Sequence, residues 1–274
     1  MRRFHVSSSF AFAILVAIGC GSGKPQDAAA TPDGKTADAP KQVAQAPMEA
    51  APAPSGAPAD AGGSASITGT VSFQGTVPPA EKVKMDADPV CKQQHAEPVM
   101  TEEAVVSEDD GLKNVFVYVK EGLSGSYPAP TTPVVIDQSG CWYHPHVLGI
   151  QVNQPLQIQN NDGTLHNINA KPANNTPFNV AQPVKGMKTT KTFAKPEIGV
   201  KFKCNVHPWM SAYAGVVEHP FFSVSEESGA FELKGLPAGT YVIEAWHEKF
   251  GTQTQTVTVG DGEAKTVDFA FRAQ

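Results

Sequence analysis

From residue 66 onward, apolar and polar positions alternate in short runs separated by Gly, Pro, Asn or Asp. The runs at 67–73, 115–119, 134–136, 156–158, 200–204, 241–246 and 257–259 are rich in β-branched and aromatic residues. A period of two places successive side chains on opposite faces, so each run predicts a strand with one face buried. No sustained 3.6-residue stripe follows residue 66, and only 81–88 offers a short helical turn. No repeat of fixed period is visible. The pattern predicts an all-β chain.

The first 65 residues read differently. Arg2 and Arg3 precede an apolar run of ten residues, 10–19. That run is too short for a membrane-spanning helix, which needs about 20 residues. A basic start, a short apolar core and small residues before a cut are the pattern of a signal peptide, here 1–19. Ala17-Ile18-Gly19-Cys20 resembles a bacterial lipobox, though Ala17 stands where Leu is usual. The resemblance implies cleavage before Cys20, acylation of its sulfur and a periplasmic lipoprotein. Gly21 rather than Asp after the cysteine implies the outer membrane. Residues 21–65 carry 14 Ala, 7 Pro and 6 Gly and no aromatic residue. Such a segment buries too little apolar surface to offset the entropy of ordering, so 20–65 is expected to be an anchor and tether reaching roughly 35–40 Å.

Composition excludes several classes. With 18% charged residues, 24 Gly and 23 Pro, the chain is poor in helix formers and rich in turn formers, against a helical bundle. The net charge of −6 provides no basic surface for nucleic acid. Removal of Arg2 and Arg3 would leave 19 basic against 27 acidic side chains, a net −8. Four widely spaced cysteines, Cys20, Cys91, Cys141 and Cys204, are too few for a disulfide scaffold. No phosphate-binding loop, nucleophile elbow or paired-carboxylate site is present, and no bond-making enzyme is expected.

The sharpest chemical signal is Cys204-Asn-Val-His207-Pro208-Trp209-Met210, with His166 upstream beside Asn167. A thiolate, two imidazoles and a thioether are the donor set of a type 1 copper centre. The sulfur favours Cu(I), while imidazole suits both oxidation states. A strand ending at Cys204 and a tight loop through Pro208 can turn His207 and Met210 back toward one point. A buried Cys near a His and a Met also occurs in ordinary β cores, but here the ordered set comes with the His-Asn pair. Zinc prefers more thiolates and rarely takes Met. A binuclear copper centre needs a second cysteine in the loop, and none is there.

Residues 134–218 therefore resemble the cupredoxin family, most nearly the amicyanin type, since only two residues separate His207 from Met210 and plastocyanin-type loops are longer. The resemblance implies a Greek-key sandwich at about 128–218. It implies one copper ion held by His166, Cys204, His207 and weakly by Met210, and an Asn167 that ties the ligand loops together. It also implies that His207 shows its ring edge at an apolar patch with Pro208 and Trp209, where electrons pass. The C-terminal stretch 228–245 resembles the carboxypeptidase regulatory-like (prealbumin-like) sandwich, whose opening strands would be 67–75 and 112–119. The cupredoxin part would then be inserted between 66–127 and 219–274 of a second sandwich. Alternatively, 66–126 extends the middle domain.

The expected function is membrane-anchored transfer of single electrons outside the cytoplasm, with a cytochrome or dehydrogenase as redox partner. The alternative is copper storage, delivery or sensing. A surface adhesin is a third class, supported only by the regulatory-like sandwich. For Cys91 and Cys141 two readings stand: a disulfide, the default in an oxidising compartment, or a second metal site with His95 and His144 or His146. If the insertion holds, the disulfide would staple the two sandwiches. His219 and His247 are expected to cap or pack at strand ends. Glu102, Glu103 and 108–110 are expected to be solvated charges that could steer a basic partner.

Overall fold

The computed structural model describes residues 62–273. The signal peptide, Cys20 and nearly all of the tether lie outside the described residues. Among the described residues, every regular element apart from one five-residue helix is a strand, so the fold is all-β. Among the described residues no helix is long and apolar enough to cross a membrane.

The strands form four sheets stacked as two sandwiches. In the first sandwich, Ala65–Gln74 lies between Ala230–Leu236 and the parallel strands Ala264–Thr266 and Phe269–Arg272. Its facing sheet has the order Phe222–Val224, Phe116–Glu121, Gly239–His247, Gly251–Val259. Side chains from alternate positions, among them Ile67, Val71, Val117, Leu233, Ile243 and Phe269, fill the space between the two sheets. The strands of this sandwich come from both ends of the described chain.

The second sandwich is built from the chain between them. One sheet has the order Trp142–His144, Val134–Ser139, Leu156–Asn160, Lys188–Lys191. The other has the order Val147–Gln151, Ser211–Val217, Glu197–Lys203, His166–Ala170, Phe178–Gln182. Two pairs, Val134–Ser139 with Leu156–Asn160 and Val147–Gln151 with Ser211–Val217, are parallel and require crossover connections. The core holds Ile136, Tyr143, Leu148, Ile158, Phe193 and Phe202 among others.

A smaller apolar cluster of Phe116, Tyr118, Val147, Tyr213, Val217 and Phe222 joins the sandwiches. Gly149 and Gly215 are cross-strand partners beneath it. A Cβ at Gly149 would come within 2.2 Å of the Phe222 ring, and one at Gly215 within 2.3 Å of the Phe116 ring. The paired glycines make the flat seat that lets two aromatic rings reach the sheet.

Residues 81–101 depart from the sequence expectation. The helical turn lies at Pro89–Gln93 rather than 81–88, because Asp88 caps it and Pro89 opens it. The segment closes at its base through Val83 N to Val99 O and Thr101 N to Glu81 O, each 2.9 Å. Val83, Met85 and Cys91 are buried in the core of the second sandwich. The segment thus forms a strap across that sandwich. Cys91 and Cys141 are disulfide-bonded. Since Cys91 packs with the second sandwich, the bridge pins the strap there and does not staple the two sandwiches to each other.

Candidate metal centre

Three neighbouring strands end at one pole of the second sandwich. His166 opens His166–Ala170, Cys204 directly follows Glu197–Lys203, and Met210 directly precedes Ser211–Val217. The intervening loop folds back on itself, with Cys204 N donating to Met210 O at 3.2 Å and Met210 N to His207 O at 3.0 Å. His207 N donates to Cys204 Sγ at 3.3 Å. This turn delivers His207 to the pole where His166 and Cys204 lie. Asn167 links the two loops: its Oδ1 accepts from Asn205 N at 2.7 Å and lies 3.4 Å from Cys204 Sγ.

The donor atoms converge. His166 Nδ1 and His207 Nδ1 are 2.9 Å apart, and Cys204 Sγ is 3.8 Å from His207 Nδ1. His166, Cys204 and His207 fall within the separation that a single ion could bridge. All are buried, and Met210 is fully buried in the same core cluster as Cys204.

Each imidazole presents one nitrogen to this point and the other to a carboxylate. His166 Nε2 is 2.8 Å from Asp162 Oδ2. Asp162 in turn accepts from Gly140 N at 2.9 Å and Cys141 N at 2.7 Å. Both of those residues have positive φ (64° and 54°), which turns their N–H groups to the same side. His207 Nε2 is 3.0 Å from Asp88 Oδ2, which also accepts from Thr164 Oγ1 at 2.9 Å. Cys91 Sγ lies 3.6 Å from the same ring nitrogen.

The electrostatics follow from burial and these contacts. Burial alone would raise the Cys204 thiol, but His166 and nearby backbone N–H groups more than compensate and hold it below its usual value. Burial disfavours charged His166, yet Asp162 and Cys204 push it up to about 9. His207 is lowered, by burial first and then by the charge of His166, against the opposing pull of Asp88. Asp162 and Asp88 are held below the usual carboxylate range by hydrogen bonds that outweigh their burial. A thiol that ionises readily beside two inward ring nitrogens fits a soft or borderline cation, since the thiolate is the binding form.

Several residues sit differently from expectation. The ring edge of His207 is not at the surface; the residue is 2% exposed and the strap covers it. Pro208 is exposed and Trp209 half-buried. The indole packs 5.1 Å from the His207 ring and donates Nε1 to Cys141 O at 3.0 Å. Leu165 and Val206, each just before one of the histidines, are exposed apolar side chains.

The second metal site around Cys91 is not assembled. Its sulfurs are joined to each other, His95 Nε2 is 2.7 Å from Gly140 O, and His144 is exposed. His146 instead meets Glu248 of the first sandwich through Nε2, with Glu102 3.7 Å from its Nδ1. Glu102, expected as a solvated charge, also accepts from Trp142 Nε1. Glu103 is exposed and pairs with Lys249 at 3.1 Å. His219 Nε2 is 2.7 Å from Val119 O, and His247 stacks on Phe250. Asp88, Asp162 and Glu248 carried no signal in the sequence beyond their charge.

Residues 217–272 match the carboxypeptidase regulatory-like domain family. That segment supplies the C-terminal strands of the first sandwich, and Ala65–Gln74 and Phe116–Glu121 complete its sheets. No curated protein matches the chain. Among solved structures, the chain is similar to a Cu-containing nitrite reductase from Thermus scotoductus SA-01. The identity is 24% over 35% of this chain and 25% of that one, with a TM-score of 0.30. A purple cupredoxin from Nitrosopumilus maritimus gives 24% identity over 30% of this chain and 97% of that one, TM-score 0.26. A methionine-to-alanine variant of amicyanin in its Cu(I) form gives 18% identity over 36% and 97%, TM-score 0.28. The chain thus spans about a quarter of the nitrite reductase's length.

Proposed function

We propose that this is a type 1 copper protein that carries single electrons outside the cytoplasm, tethered to the outer membrane through a lipid on Cys20. The observation that carries the reading is the convergence of His166 Nδ1, His207 Nδ1 and Cys204 Sγ, all buried, the last two on a loop that ends at the buried Met210. Copper bound there would supply a one-electron couple. The chain's part is to hold the donors. Three strand ends and a loop closed by backbone hydrogen bonds hold them, so changing the ion's charge would ask little movement of them. The apolar core around the pocket excludes water, which keeps the cost of reorganisation low.

The supporting domain organisation is a copper-binding domain at 128–218 inserted between the two parts, 66–127 and 219–274, of a regulatory-like sandwich. Exposed Leu165 and Val206 beside the ligand histidines would offer apolar contact to a redox partner such as a cytochrome or dehydrogenase. No bond-making step is assigned to the protein.

The test is the visible spectrum of the copper-loaded protein. An intense blue or green colour from thiolate-to-copper charge transfer is expected, and a colourless copper-loaded protein would end the reading. A second reading, copper storage or delivery, draws on the covered ring of His207, which leaves no open imidazole edge for a partner. Fast, reversible voltammetry supports the carrier. Sluggish exchange with ready loss of copper to a chaperone supports delivery.

A further inference from the structure

The Asp88 carboxylate divides its two oxygens between two tasks. Oδ1 accepts from Val90 N at 2.8 Å and caps the helix Pro89–Gln93. Oδ2 faces Thr164 Oγ1 at 2.9 Å and His207 Nε2 at 3.0 Å. The cap belongs to the strap and the ring to the metal loop, 119 residues further on. The disulfide from Cys91, three residues after Asp88, ties this turn of the strap to the same pole.

The geometry points to Asp88 as a positioning residue for His207, one that sets the ring's orientation and tunes whatever ion the opposite nitrogen holds. The inference rests on the copper reading above. When Nδ1 of a neutral imidazole binds a metal, Nε2 must carry the proton, so it can only donate. Asp88 Oδ2 is the acceptor placed to receive that proton, and a carboxylate there raises the donor strength of the ring. Its negative charge favours Cu(II) over Cu(I). Asp162 plays the matching part at His166, but it is an immediate neighbour of the ligand loop; Asp88 reaches in from a strap.

The test compares the full-length protein with its Asp88→Asn and Asp88→Glu variants. Measurements are Cu(II) affinity, the visible and electron paramagnetic resonance spectra, and the reduction potential. Asparagine is as good an N-cap as aspartate, so loss of helix capping alone should not follow. Its single acceptor oxygen, however, cannot serve both Val90 N and His207 Nε2. The Asn variant should lose about tenfold to a hundredfold in Cu(II) affinity. A tenfold preferential loss for Cu(II) over Cu(I) raises the one-electron potential by about 59 mV. The spectra should shift while remaining those of a copper thiolate, and Asp88→Glu should restore part of the change. A purely structural Asp88 would lower the melting temperature of the metal-free protein and leave potential and spectra where they were; that result overturns the inference. Unmodified protein that takes copper without colour overturns the copper reading instead, so the two failures are distinguishable.

Discussion

Two buried histidine clusters in this molecule start from similar ingredients and end differently. At the pole of the second sandwich, His166 and His207 each meet one carboxylate, Asp162 and Asp88. At the junction of the sandwiches, His146 meets two, Glu248 at Nε2 and Glu102 nearer Nδ1. In the first cluster each ring keeps one nitrogen aimed at a shared point that also holds a thiol. In the second, one nitrogen of the ring meets Glu248, and the other, buried 3.7 Å from Glu102, has no hydrogen-bond partner. The first arrangement leaves lone pairs for a cation; in the second, the neighbouring carboxylates favour the protonated form of the imidazole against the opposing effect of burial. The lesson is that a buried histidine with a carboxylate is not by itself a metal ligand. What decides is where its second nitrogen points.

The comparison breaks most sharply at Cys204. Replacing it by serine removes the soft donor, and complete loss of the visible charge-transfer band is expected, with copper affinity falling steeply. A Cys204→Ser protein that stayed blue would show that the pole holds no copper thiolate. Removing the bridge with Cys91→Ser and Cys141→Ser frees a loop whose ends are 50 residues apart. The chain-entropy account gives a loss of about 4 kcal/mol of stability. Chemical denaturation should reveal this, while the colour persists because neither sulfur belongs to the donor set.

The junction should respond in the opposite sense. Glu248→Ala leaves His146 buried without its main partner, and the loss expected is about 3 kcal/mol. The visible spectrum should be unchanged. If the spectrum shifted as much as the stability, the two clusters would not be independent.

The smallest effect is the pH dependence of that junction. Burial lowers His146, but the hydrogen bond to Glu248 and the charges of Glu248 and Glu102 raise it above 6.5 overall. Burial raises Glu248, but His146, Tyr213 and His247 bring it below 4.5 overall. The raised His146 contributes fully below its unfolded value of 6.5, and its contribution is lost as pH rises through the folded value. The depressed Glu248 contributes fully above 4.5 and is lost as pH falls through its folded value. The stability difference between the protein and Glu248→Gln should therefore peak between pH 4.5 and 6.5 and shrink toward alkaline pH. Metal-free samples of both proteins, melted across that range, provide the check.

The strand runs were legible because a half-buried strand must alternate, and alternation is written in consecutive residues. The observed strands Ala65–Gln74, Leu156–Asn160 and Gly239–His247 contain the runs at 67–73, 156–158 and 241–246. The candidate ligands were legible for a related reason: Cys204, His207 and Met210 share one loop, where spacing alone constrains geometry. His166 was found through its neighbour Asn167. The strap was not legible. Beyond the short helical turn read at 81–88, its residues 81–101 show no sustained period, and their place depends on Val83 and Met85 finding a core formed by strands far along the chain.

The order of the candidate donor residues, the alternation of the strands and the distribution of four cysteines were determined by the chain itself, because each depends on residues close in sequence. The tertiary structure alone decided that His207 is covered, that Asp88 rather than solvent meets its Nε2, and that His146 turns to Glu248. Those contacts join residues 119 and 102 positions apart. No local pattern encodes them, since they form only when packing of two cores brings the distant segments to the same place.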